Sequence, residues 1–368
     1  MNLTIEAAAQ KIGVSSNKLL EWEAGSAPTI PQLRKVAEVY KRPLAVFFLA
    51  EPPKKFDALR DHRRIPASAK PTQSPELSLA VRLARSQREV LLEVAEDSKI
   101  ELPEIDADFR GLRNSAEAFA EAARKLLNVS LDAQYSWRQT YEALNNWVRA
   151  LENVGVLVFQ TGDIELSEAR GFAIYEKQLP VVVANAKDSP RGRVFTLLHE
   201  LAHILLRQSP LCDLHEDRSP STDDVEVFCN EVAGNILVPA SALERELNTL
   251  GFSSARPAES EIENLSRRFS VSREVIVRRL LTTGRVSLNF YQSKRDHYMG
   301  AHRQESKREG GFAPPYTLRV RDLGKLYVRT MVSAYHQEAI TSADLSNYLG
   351  LKIKHLPKVE QLVSKGAD

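Results

Sequence analysis

RVFTLLHELAHILL, residues 193–206, is the stretch from which the rest of the chain is read. Phe195, Leu197, Leu198, Leu201, Ile204, Leu205 and Leu206 would cover most of a helix surface, so the run predicts a buried helix. Three residues break that pattern: His199, Glu200 and His203, spelling HELAH. A helix repeat of 3.6 residues sets positions i and i+4 on one face, so both imidazoles can reach a single ion. Neutral imidazole nitrogen suits zinc, whose catalytic sites keep one position for water. A bound ion of this kind lowers the pKa of its water towards ~7, and Glu200 stands where it can take the proton. Burying these three groups on an apolar helix is costly unless they are paired, which makes a metal site the physical reading.

Such a site needs a third protein ligand from a neighbouring element. TDDVEVFCNEVAGNILVP begins at Thr222 and carries a core stripe of Val225, Phe228, Cys229, Val232 and Ile236. Glu226 and Asn230 lie one turn apart on an edge of that stripe, and Glu231 is the rival carboxylate. Asp223 and Asp224 lie further off the pattern. Asn230 suits a supporting role, donating to a ligand or holding a carboxylate in place.

Upstream, TYEALNNWVRALENVG (140–155) predicts a helix, and VLVF (156–159), GFAIYE (171–176) and PVVVAN (180–185) predict strands. Ser189 and Pro190 then read as N-cap and first residue of the HELAH helix. The expected class is α+β, mostly α, with a small sheet feeding an apolar helix. Residues 75–98 and 115–127 carry helical periodicity inside a connector, 53–135, which shows no chemistry of its own. From residue 222 the chain again reads helical, broken at Pro239, around 251–258 and by a mixed stretch, 284–316. Within the last, KRDHYMGAHRQESKRE (294–309) is expected to be an exposed loop. A register of small residue, tight turn and apolar residue recurs as Ala9, Gly13, Leu19, as Ser266, Ser270, Ile276, and as Ser346, Gly350, Leu356. In the two later copies it predicts tri-helical packing and not DNA binding.

The bulk properties narrow the class. Net charge over 368 residues is +2, which argues for no overall field drawing nucleic acid or anionic lipid. Two cysteines, Cys212 and Cys229, form no CxxC pair, so no disulfide framework is expected and a reducing cytoplasm is the expected compartment. No run approaches the roughly 18 apolar residues of a membrane span, and MNLTIEAAAQKIG lacks the pattern of a signal peptide. The arginines at 267, 268, 273, 278 and 279 make the more basic helix pair and are expected to form a solvated face. Both cysteines read as structural.

RVFTLLHELAHILL followed by EVFCNEVAGNILVP resembles the ImmA/IrrE family of metallo-endopeptidases, and RGFAIY and VVVAN extend the match across roughly residues 140–285. The resemblance implies a zincin-like core with zinc ligands His199, His203 and Glu226 and a catalytic glutamate at Glu200. It also implies a protein substrate, a helix-turn-helix repressor or other regulatory protein. The group that would stabilise the oxyanion is left open, with Tyr175, His215, His297 and His302 as candidates. LTIEAAAQKIGVSSNKLLEWEAGSAPTIPQLRKVAEVY resembles an Xre-type (Cro-like) helix-turn-helix domain. That would place DNA contacts at Ser16, Asn17, Lys18 and Glu21. Two features depart from it: the helix that usually opens the domain is absent before Leu3–Thr4, and Lys18 faces Glu21 and Glu23. A degenerate module that binds a protein partner or packs on the peptidase therefore stands beside one that binds double-stranded DNA as an expectation.

The expected division is 1–52 helix-turn-helix, 53–135 helical connector, 136–245 zinc peptidase core and 246–368 C-terminal helical region. The function that follows is zinc-dependent endopeptidase. A transcriptional regulator or antitoxin-like binding protein on an inactive peptidase fold is the alternative.

Overall fold

A computed structural model describes residues 4–49, 74–105, 107–206, 222–252, 256–305 and 313–364. Cys212, His215, the prolines and charges of 51–66 and the side chains of Asp223 and His302 lie outside the described residues.

The N-terminal unit holds α1 (Ile5–Ile12), α2 (Ser16–Glu23) and α3 (Ile30–Val39). Thr4 Oγ1 accepts from the Ala7 amide and Ser15 Oγ from the Lys18 amide, satisfying donors that each helix start leaves open. Gly13 ends α1 in the left-handed region, φ 81°, where a Cβ would be strained. Ala8, Ala9, Ile12, Leu19 and Val36 form a small core of their own.

Helices α4 (Pro75–Asp97), α5 (Ala116–Leu126), α6 (Leu131–Ser136) and α7 (Thr140–Asn153) lead to the sheet. Strands β1 (Leu157–Thr161), β2 (Gly171–Ile174) and β3 (Val181–Asn185) are ordered β1-β3-β2. β1 runs parallel to β3 with Leu157 opposite Val181, and β2 runs antiparallel to β3 with Gly171 opposite Ala184. Strand alternation divides the side chains between two cores. Val158, Ala173, Val182 and Ala184 face one; Leu157, Phe159, Phe172, Ile174, Val181 and Val183 face the other. A sheet buried on both faces explains the unbroken apolar runs in its strands.

The first core is closed by α8 (Pro190–Leu205), α9 (Thr222–Leu237), α10 (Ala240–Thr249), α11 (Glu259–Arg268) and α12 (Arg273–Thr282), together with α5 and α7. The next helix, α13 (Leu288–Glu305), corrects the exposed loop expected at 294–309: the segment is helical through Glu305, and 306–309 lie outside the described residues. Tyr291 and Tyr298, seven residues apart, are buried on that core, and Lys294 Nζ donates to Glu259 at 2.6 Å. Two buried aromatics at helical spacing outweigh the polar composition around them.

The second core lies on the opposite sheet face, between α4, α14 (Pro315–Leu323), α15 (Lys325–His336), α16 (Ser342–Leu349) and α17 (Leu356–Ser364). The helices of 53–135 thus contribute to both sides of the sheet, α4 to the second core and α5 to the first.

All three copies of the repeated register adopt one turn. The amide of the residue after each turn bonds the carbonyl five positions back: Val14 to Ala9 at 3.0 Å, Val271 to Ser266 at 3.0 Å, Leu351 to Ser346 at 3.1 Å. Gly13, Ser270 and Gly350 all have positive φ. Ser266 and Ser346 add a hydroxyl bond to the same residues' carbonyls, at 2.7 and 2.6 Å.

Candidate metal centre

Helix α8 starts where the sequence places it: Ser189 Oγ accepts from the Gly192 amide at 3.1 Å, with Pro190 in the first turn. It packs on α7, α9, β2 and β3, so it is covered nearly all round. Gly171 on β2 permits the close approach, since a Cβ there would overlap Thr196 Cγ2 of α8. His199 and Glu200 are buried, and His203 is partly open at 20% side-chain exposure. The Phe195 ring stacks near His199 with centroids 6.4 Å apart.

Helix α9 lies against α8 through the apolar stripe expected for it, with Cys229, Val232 and Ile236 fully buried. This packing brings Glu226 to the imidazoles. His203 Nε2 is 3.1 Å from Glu226 Oε1, His199 Nε2 is 3.3 Å from Glu226 Oε2, and the two Nε2 atoms are 3.0 Å apart. Ligand atoms held at ~2.0–2.2 Å around a tetrahedral ion stand about 3.3–3.5 Å from one another. The three side chains therefore form one face of such a shell, slightly contracted. Glu226 Oε2 is buried and, among the described residues, has no partner beyond its 3.3 Å approach to His199 Nε2. Two nitrogens and a carboxylate oxygen are a donor set suited to zinc, and the residues fit the ion.

Among the described residues, His199, His203 and Glu226 are the one group of this kind. Glu231, the rival ligand by pattern, and exposed Asp224 are not in it. Asn230 is one turn from Glu226, but its Nδ2 donates to the Glu226 backbone carbonyl at 2.7 Å, so its contact is to the helix under the ligand.

The electrostatics of the bare triangle follow from burial set against pairing. For Glu226, burial would raise the carboxyl pKa, but hydrogen bonds and charge from His199 and His203 outweigh it and hold the group well below the usual carboxylate range. For His203, burial would depress the imidazole; hydrogen bonds to Cys229 and Glu226 and the nearby negative charge reverse this and push it up to about 11. Burial pushes the Cys229 thiol up. Cys229 thus belongs to the site's surroundings, a role the core-stripe reading did not include. Its position three residues after Glu226 was the available signal.

Other expected residues are placed as follows. Tyr175 packs half-buried on the first core, and exposed His297 lies against the Tyr298 ring. Neither belongs to the metal triangle. Asn17 and Lys18 are exposed on α2, Ser16 is half-buried, and Lys18 Nζ pairs with Glu21 at 2.8 Å. The arginine-rich pair α11–α12 is largely occupied with pairing: Arg267 with Glu263, Arg268 with Glu246 and over the Tyr135 ring, Arg273 with Glu259. Arg279 is buried and donates to the Val238 carbonyl and Asn235 Oδ1, a structural role in place of the expected solvated one.

The family model of the IrrE N-terminal-like domain, Peptidase_M78, matches residues 152–281, which hold the sheet, α8 and α9. A helix-turn-helix family model, HTH_3, matches residues 1–47. No curated protein matches the chain. Among solved structures, a Mycobacterium tuberculosis transcriptional regulator is 19% identical, with a TM-score of 0.32, over 52% of this chain and 51% of that one. Among the described residues no helix is long and apolar enough to cross a membrane. The chain joins an N-terminal helix-turn-helix domain to a peptidase domain of the IrrE N-terminal-like family.

Proposed function

We propose that the chain is a zinc-dependent endopeptidase that cleaves a regulatory protein, with His199, His203 and Glu226 holding the ion and Glu200 as general base. The observation that carries this is the convergence of the three side chains, whose imidazole nitrogens and carboxylate oxygens approach one another at 3.0–3.3 Å, beside a buried glutamate on the same helix as the two histidines. Bound zinc would supply a Lewis acid that polarises a scissile carbonyl and acidifies water. Glu200 follows His199 directly in α8 and is buried against the same site, so it is positioned to accept the proton of an attacking water and return it to the leaving amine. The apolar packing of α8 and α9 limits water around Glu200 and strengthens each charge interaction there. Asn230 anchors the backbone beneath Glu226, and Cys229 helps hold the His203 ring. A reducing cytoplasm suits the buried, free thiol of Cys229.

The substrate proposed is a helix-turn-helix repressor, as the family resemblance implies. For the N-terminal module a protein partner has one observation in its favour. The Lys18–Glu21 pair, with Glu23 beyond it, neutralises the helix that would face phosphates.

The test is zinc-loaded protein and its Glu200→Gln variant incubated with the repressor encoded nearest to its gene. Cleavage at a discrete bond by the first, and none by the zinc-retaining second, is expected. Cleavage that persists in Glu200→Gln would overturn the assignment of the base.

A further inference from the structure

We propose that the C-terminal helix-turn-helix unit, residues 342–364, binds the phosphate backbone of duplex DNA through Lys352, Lys354 and Lys358. The unit shares its turn with α1–α2: Gly350 is left-handed, φ 63°, and the Leu351 amide bonds the Ser346 carbonyl as the Val14 amide bonds Ala9. A 3-10 turn, Ile353–His355, opens α17, just as α2 begins at Ser16. The two units therefore share one register, with Gly13 matching Gly350 and Leu19 matching Leu356. In that register Ser15, Asn17 and Glu21 correspond to Lys352, Lys354 and Lys358. Positions at the start of the second helix are those that meet phosphates and bases when such a unit docks on DNA. In α2 they are neutral or acidic; here they carry three cations.

All three lysines are exposed, and none is paired with a described acidic group. No Asp or Glu occurs from Leu345 to Val359. The two acids that flank this span are engaged elsewhere: Asp344 accepts from Thr341 in a helix cap, and Glu360 is 2.7 Å from His336 Nε2. Val359 and Val363 are buried and Leu356 half-buried, so α17 turns one face to the core. Lys354, Lys358 and Gln361, which recur at i, i+4 and i+7, share the other face and are exposed. Arg319 Nε donates to the Leu349 carbonyl at 2.8 Å, fixing the end of α16 from which the turn departs. The middle copy has none of this. There Val275 and Ile276 are buried and Arg273 is held by Glu259, so its second helix serves the first core.

The experiment is fluorescence anisotropy of the full chain on a labelled random-sequence duplex of about 30 bp, over salt from about 50 to 200 mM. Wild type should bind with an affinity that falls steeply with salt. Combined Lys352→Gln, Lys354→Gln and Lys358→Gln should weaken binding at least ~10-fold at low salt and flatten the slope by roughly 0.9 per lysine. The triple Lys→Arg variant keeps the charge and should retain the slope, which separates loss of contact from loss of fold. Lys18→Gln should leave the slope unchanged. An unchanged slope in the triple glutamine variant, a slope lost with Lys18→Gln, or wild-type binding that ignores salt each overturns the proposal. None of these outcomes bears on the metal centre, whose residues are untouched.

Discussion

Nε2 of His203 stands 3.0 Å from Nε2 of His199, closer than either nitrogen stands to a Glu226 oxygen. Two imidazole lone pairs cannot face each other at that distance without a proton or a cation between them. Without a metal a proton would take that place, favoured by the Glu226 carboxylate beside both rings; a metal would replace it.

That exchange predicts proton release on metal binding. The His203 imidazole of the bare site is pushed up to about 11, against about 6.5 for the unfolded chain. Its protonated form therefore contributes stability that is complete below pH ~6.5 and is lost as pH rises through ~11. A ligating imidazole must be neutral, so zinc displaces this proton, and near neutral pH uptake should release about one proton per ion. Titration calorimetry in buffers of different ionisation enthalpy should show the matching dependence. Zinc-binding heats independent of the buffer would contradict it.

Removing the base and removing a ligand should separate cleanly. Glu200→Gln is expected to keep its metal while cleavage falls roughly 10²–10⁴-fold. His199→Ala, which takes one corner from the triangle, should lose both metal and activity. Metal analysis of the purified variants beside cleavage assays checks both.

Gln134 is fully buried and ties three elements together. Its Nε2 donates to the Leu237 and Phe269 carbonyls at 2.9 and 2.8 Å, and its Oε1 accepts from Arg124 Nη1, which also reaches the Ile236 carbonyl. These bonds close the last turn of α9, the helix that carries Glu226. Gln134→Leu would leave two carbonyls unpaired at ~1–3 kcal/mol each, so a loss of about 3 kcal/mol is expected in urea denaturation. A change below ~0.5 kcal/mol would mean that the clamp is redundant.

Glu152, on α7, is a buried carboxylate facing the start of α15, and Gly324 leaves it room because a Cβ there would overlap Oε1. Burial raises its pKa to about 7, moderated by backbone hydrogen bonds from Leu326 and Lys325 and by Arg329. A carboxyl raised on folding costs stability as pH climbs from the unfolded value near 4.3 to the folded one near 7, here at most about 4 kcal/mol. Glu152→Gln should therefore flatten the stability profile between about pH 4 and 7, read from thermal melts across that range. A profile that keeps its slope in this variant would assign the effect to another group.

Much of the architecture was legible because local chemistry and burial agree. The Ser189–Pro190 start, the all-round apolar surface of α8 and the two-sided apolar strands each follow from residues near in sequence. The segment 294–305 was not legible, because its composition is that of a loop while Tyr291 and Tyr298 are held by a core formed from distant helices. The same holds for Arg279, whose charge suggests solvent and whose partners, Val238 and Asn235, lie some forty residues earlier.

The sequence alone determined that His199 and His203 share a face, since a helix repeat leaves residues four apart no other arrangement. It also determined the helical units at either end through their turn residues. Which carboxylate completes the triangle was left to tertiary structure on pattern alone: Glu226 and Glu231 both border the apolar stripe of α9, and the choice depends on how α9 rotates as it packs on α8. Whether a repeated turn offers its second helix to solvent or to a core is decided the same way, because exposure is set by whatever packs behind the helix.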